Sequence, residues 1–127
     1  MKSLLIVIKE EFLSKGIALA LMNYFQSIHT TKNPYDAIKM VKEEKINVVI
    51  TELRFETLDS DGYLEKLTNA SPKGTSIIII KDDTISLKDS ANGINIIIQE
   101  KPISLQYIKT IIKSLEHNSK TSNKGEN

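Results

Sequence analysis

Four apolar runs in this chain end on ionisable residues. "INVVIT" stops at Glu52, "LLIVI" runs into Lys9, Glu10 and Glu11, "TSIIII" into Lys81, Asp82 and Asp83, and "INIII" into Gln99, Glu100, Lys101 and Pro102. A carboxylate delivered at the end of a buried run is costly unless a cation, a metal or a proton receives it. Charged groups gathered in this way mark the place where a ligand would be met. Other constellations are weaker. "DSDGY" places Asp59 and Asp61 at the third and fifth positions of a calcium loop, but Thr57 and Thr68 then occupy the first and twelfth, which removes the essential ligands. His29 and His117 lie far apart and read as surface residues. No nucleophile elbow supports a Ser-His-Asp set, no glycine-rich loop follows the first run for a nucleotide, and no Ser/Thr-rich loop suits a flavin.

The elements that would position these residues follow from patterning. The runs at 4–8, 46–51, 75–80 and 94–98, with a weaker one at 27–30, are continuous and β-branched, as suits strands covered on both faces. Between them lie helical spacings. From Glu11 to Phe25, the residues Phe12, Ile17, Leu21, Met22 and Phe25 are expected on one face. Asn33 is an expected N-cap with Pro34 at the first helical position, and Ile38 and Val41 turn toward the sheet. "DSDGYLEKLTNA" should form a helix with Leu64 and Leu67 inward, and a short, weakly apolar helix is expected over 84–92. Ser104 should cap the last helix, whose stripe is Leu105, Ile108, Ile111, Ile112 and Leu115. Strand and helix alternate five times, which predicts an α/β fold: a parallel five-stranded sheet, doubly wound in a three-layer α/β/α sandwich. In such a sheet, ligands bind at the carboxyl ends of the strands. All four charged clusters are therefore expected in one crevice.

The chain has 127 residues, 40% hydrophobic and 26% charged, which fits one globular domain. Residues 1–117 are expected to form it, with 118–127 as a disordered polar tail or linker. Seventeen basic against sixteen acidic residues leave a formal charge of +1, too little to point to nucleic acid or an anionic membrane. Without cysteine there are no disulfides and no thiolate metal sites. No apolar run approaches the ~20 residues of a membrane span, and a cytoplasmic location is expected.

The segments "LLIVIKEEFLSKGI", "INVVITELRFETLDSDGYLEKL" and "INIIIQEKPISLQYI" resemble the receiver (CheY-like) domain of bacterial two-component response regulators over about 2–116. The resemblance implies a flavodoxin-like sheet of strand order 2-1-3-4-5 and a signalling module rather than an enzyme. In that family a histidine kinase donates a phosphoryl group to an aspartate ending the third strand. Mg²⁺ is held by that aspartate and by an acidic pair after the first strand. A lysine before proline contacts the phosphoryl oxygens, while a Thr/Ser after strand four and an aromatic on strand five relay the switch. Here Glu52 takes the phosphoacceptor place, and Ile8 and Lys9 take the places of the acidic pair, with Glu10 adjacent. Lys81 stands for the Thr/Ser and Ile98 for the aromatic; Lys101, before Pro102, keeps the family's identity.

These departures imply a degenerate receiver, with Mg²⁺ lost, no cofactor and no catalytic residues. Glu52, and Glu10 at most, would face Lys9, Lys81 and Lys101, a poor site for a cation that wants several oxygens at ~2.1 Å. The extra methylene of Glu52 would also misplace the nucleophile by ~1 Å, worth about 10²-fold in rate. Glu52 is instead expected to pair with Lys101, Lys9 or both, and removing one member of such a buried pair costs ~3 kcal/mol or more. A built-in phosphoryl mimic is the alternative role for that carboxylate. The expected function is phosphorylation-independent protein binding through the face made by the fourth expected helix, the fifth strand and the last helix, with Ile103 and Tyr107 exposed, or a homodimer there. The alternatives are a phospho-accepting regulator using Glu10, Glu52 or Asp59, and a flavodoxin-like small-ligand binder.

Overall fold

A computed structural model describes residues 3–56, 58–81 and 94–125, with side chains described through 116. Each β-branched run becomes a strand: β1 Ser3–Val7, β2 Ser27–Thr31, β3 Val48–Glu52, β4 Ser76–Lys81 and β5 Asn95–Glu100. Among the described residues they form one parallel sheet in the order β2-β1-β3-β4-β5. The three central strands are buried along nearly their whole length, whereas β2, at an edge, is polar and half-exposed. That contrast is why its run was the weakest in the sequence.

Helices α1 Glu11–Leu21, α2 Pro34–Glu43, α3 Ser60–Ala70 and α4 Leu105–Gly125 cover the sheet. Ile17 and Leu21 of α1, with Phe25 just beyond it, and Ile108, Ile111 and Ile112 of α4 close one core against Leu4, Ile6, Val48, Ile50, Ile78 and Ile80. Ala37 and Val41 of α2 and Tyr63, Leu64 and Leu67 of α3 close the other against Leu5, Val7, Val49, Ile77 and Ile79. The result is the three-layer, doubly wound sandwich. Asn33 caps α2 by accepting from the Tyr35 amide at 2.8 Å, with Pro34 following, and Ser104 Oγ accepts from the Tyr107 amide at 3.2 Å.

Several expectations are corrected. Phe12 is 85% exposed and Met22 57% exposed, so neither joins the buried face of α1. At about 100° per residue, Phe12 lies opposite Leu21, and of the five residues expected on one face Ile17, Leu21 and, past the helix, Phe25 are the buried ones. The helix ends at Leu21 rather than at Phe25. In α2 the fully buried partner of Val41 is Ala37, with Ile38 half-buried at the margin. Leu105, the first residue of α4, is 38% exposed because it sits beyond the edge of the core. Ile103 is not on the surface as expected: it packs, partly buried, against the α1/α4 core. The backbone of α4 runs on to Gly125, into the segment 118–127 read from the sequence as a disordered polar tail or linker. The short helix expected over 84–92 lies outside the described residues. No helix among those described is long and apolar enough to cross a membrane.

Candidate functional site

The charged ends of β1, β3, β4 and β5 meet at one edge of the sheet because parallel strands all point the same way. Glu52 closes β3 with its side chain on the α1/α4 face and is only 7% exposed. Both of its oxygens are engaged. Oε1 accepts from the backbone N–H of Lys9 at 2.7 Å, and Oε2 lies 3.1 Å from the Lys101 ammonium. Charge-assisted bonds of this kind compensate a carboxylate withdrawn from water. The question whether Lys9 or Lys101 pairs with Glu52 resolves into a division of labour: Lys101 supplies the charge and Lys9 supplies its amide.

The Lys9 side chain turns elsewhere. Its ammonium lies 5.7 Å from the centroid of the Phe55 ring, a cation–π contact. Phe55 packs edge-on against Tyr63 at 5.1 Å, and Phe55 and Leu58 bridge across the loop that leaves β3. Beneath them, Thr51 donates its hydroxyl to the Glu52 carbonyl at 2.7 Å. That uses its one proton, so in the 2.7 Å contact between Thr51 Oγ1 and the Tyr63 hydroxyl, Tyr63 is the donor. Burial holds the Tyr63 phenol above its ordinary pKa, and the Thr51 hydrogen bond offsets only part of that rise.

Lys81 stands opposite Glu100 in the β4/β5 register, and their charges lie 3.5 Å apart. Lys101 follows immediately, its amide donating to the Lys81 carbonyl at 3.0 Å and its bond to Pro102 cis. Ile8, at an acidic-pair position, is a core residue 1% exposed. Glu10 caps α1, accepting from the amides of Phe12 at 3.1 Å and Leu13 at 2.6 Å. Asp59 does the same for α3, accepting from Gly62 at 2.7 Å. Both acids thus serve orphan amide groups at helix starts, where a negative charge is favoured. Ile98 on β5 is 46% exposed.

Lys9, Glu52, Leu53, Arg54, Ile80, Lys81 and Lys101 line a cavity of ≈ 50 Å³. Arg54 was not anticipated. The available signal was its position two residues past the terminal acid of β3. Among the described residues no three His, Cys, Asp or Glu side chains come together as a metal site would require. Glu52 offers one carboxylate whose oxygens already face donors, so the described residues of this crevice do not fit the Mg²⁺ of the receiver family.

The fold is that of response regulator receiver domains. The signal receiver domain of a LuxO repressor protein from Vibrio parahaemolyticus superimposes with a TM-score of 0.72 at 19% identity, covering 99% of this chain and 97% of its own. A CheY-like receiver domain from Methylobacillus flagellatus gives 0.71 at 16% identity over 91% of this chain and 98% of its own. The receiver domain of a sensor histidine kinase from Pseudomonas aeruginosa PAO1, with a magnesium ion coordinated in its active site cleft, gives 0.69 at 14% identity, covering 89% and 95%. No family model matches the sequence, and no curated protein matches it.

Proposed function

We propose that this chain is a degenerate receiver module of two-component-type signalling that acts by binding protein, without phosphorylation, and is not an enzyme. The observation that carries this reading is the double engagement of Glu52. Where the fold places a phosphoacceptor, the carboxylate is held by the Lys9 amide and the Lys101 ammonium. Phosphoryl transfer depends on positioning and on charge stabilisation by metal, and here ammonium groups occupy the crevice instead. The acids that could have rescued the chemistry, Glu10 and Asp59, cap helices. A phosphoryl-mimic role for Glu52 gains no support from the relay positions, where Lys81 pairs with Glu100 and Ile98 is aliphatic.

Protein binding is assigned to the β5/α4 side, which exposes Ile98, Leu105 and Tyr107. On this reading Tyr107 is a docking residue, and Ile103 supports that face from beneath. Beryllofluoride tests the reading. Titrated into ¹⁵N-labelled protein, it should produce the same amide shifts with and without Mg²⁺; a stoichiometric change that requires Mg²⁺ would overturn it.

A further inference from the structure

The sheet has an open edge at β2. This strand pairs with β1 alone, and among the described residues no backbone group bonds to its outer side. Alternate residues of a parallel strand turn their N–H and C=O away from the neighbour, so the edge presents a row of unpaired donors and acceptors. Lysine or proline commonly blunts such an edge; Ser27, Ile28, His29, Thr30 and Thr31 include neither. We propose that β2 takes up an extended segment of a partner protein as an added strand, one in which a lysine or arginine neighbours a glutamate or aspartate.

Two hollows specify that pair. Successive side chains of an added strand point to opposite faces, and the carboxyl end of β2, at Thr30 and Thr31, opens onto a hollow on each face. On the α2 side, a hollow of ≈ 300 Å³ is lined by Asp36, Lys39, Met40, Glu43 and Glu44. Three carboxylates there face one ammonium. Glu44 lies 3.6 Å from His29, while Asp36 and Glu43 make no ion pair among the described residues. A cationic side chain suits this hollow, its methylenes against Met40. On the α1 side, a hollow of ≈ 240 Å³ is lined by Ile8, Glu11, Ser14, Lys15, Ala18 and Lys32. Lys15 and Lys32 share the single Glu11 carboxylate, at 3.2 and 3.9 Å. Ser14 adds an independent observation: it is only 7% exposed, and its hydroxyl makes no hydrogen bond among the described residues. A hydroxyl withdrawn from water without a partner is costly, and an acidic side chain supplies the missing acceptor. Main-chain bonds along the edge would give affinity, and the two hollows would select the charges. β2 and β5 are opposite edges of the sheet, so this inference stands apart from the assignment of the β5/α4 side.

The test is an NMR titration of the full chain with a short capped peptide of alternating threonine and valine that carries adjacent lysine and glutamate at its centre. Saturable amide shifts are expected along β2 and in α1 and α2 beside it. N-methylation of the peptide backbone should abolish them, and exchanging the peptide lysine for glutamate should weaken binding. Glu43→Lys, at the exposed end of α2, should weaken it about two- to five-fold, the range of an exposed ion pair. Ser14→Ala should also weaken binding, and should lose that effect on a peptide whose glutamate is replaced by alanine. Undiminished binding of the N-methylated peptide would overturn strand addition, and equal affinity for the charge-altered peptides would overturn the role of the hollows. Shifts confined to β5 and α4 would place the peptide at the other edge and overturn the site. Concentration-dependent shifts of β2 without peptide would assign the edge to a second copy of the chain and overturn the partner segment.

Discussion

Glu52 is nearly buried while its ionic partner Lys101 keeps 45% of its side chain exposed, so the two members of the pair contribute unequally. Solvent screens the ammonium, and much of the compensation for the carboxylate falls to the short hydrogen bond from the Lys9 amide. Glu52→Gln keeps an acceptor for that amide and should cost about 1 kcal/mol. Glu52→Ala strands the amide as well and should cost about 2–3 kcal/mol. Urea denaturation of the two variants checks the order, and equal costs would mean that the Lys9 bond contributes nothing. Much of this site was legible in the sequence, because parallel strands bring their ends together and an acid there needs a cation. The position of the Lys9 ammonium was not legible. It depends on Phe55, a loop residue held near Lys9 by the Phe55–Leu58 bridge and by packing against Tyr63.

The helices differ in how far their own sequences specify them. Asn33 with Pro34, and Ser104, announced their caps, since those residue types favour such positions. Glu10 did not, because glutamate is an uncommon cap, and a metal-site reading drew attention to the same carboxylate. Glu10→Ala should cost about 1 kcal/mol through loss of its two amide bonds, readable as a fall in midpoint at unchanged slope. Two glycines give an internal comparison. A Cβ at Gly16 in α1 would meet nothing within 4 Å, so Gly16→Ala should stabilise by about 0.5–1 kcal/mol. At Gly62 the same Cβ would lie 3.1 Å from the Asp59 carboxylate oxygens that cap α3. Gly62→Ala should forfeit that gain, and thermal unfolding of the pair separates the two cases. The inward face of α1 was misread at Phe12 and Met22 because large apolar residues were credited ahead of their angular position.

At the scale of the whole molecule, β-branched runs and short connections fixed the layer order before any side-chain contact was known. What they left open was chemistry: which groups compensate one another at the carboxyl edge. Stability at high pH probes one such buried contact. The Tyr63 phenol titrates at 10.0 in the unfolded chain and higher in the fold, so folding retains a proton that unfolding releases. Its contribution is complete below pH 10 and is lost as pH rises toward the elevated folded value. Tyr63→Phe should therefore show a shallower alkaline loss of stability than the parent chain, after a cost near neutrality of about 1 kcal/mol for the lost hydrogen bond. On the proposed reading, a receiver fold has exchanged its metal-dependent phosphoacceptor for an internal ion pair. Intact-mass measurement after incubation with acetyl phosphate and Mg²⁺ tests it most directly. An unchanged mass is predicted; a stoichiometric, Mg²⁺-dependent phosphoryl adduct mapping to Glu52 would contradict it.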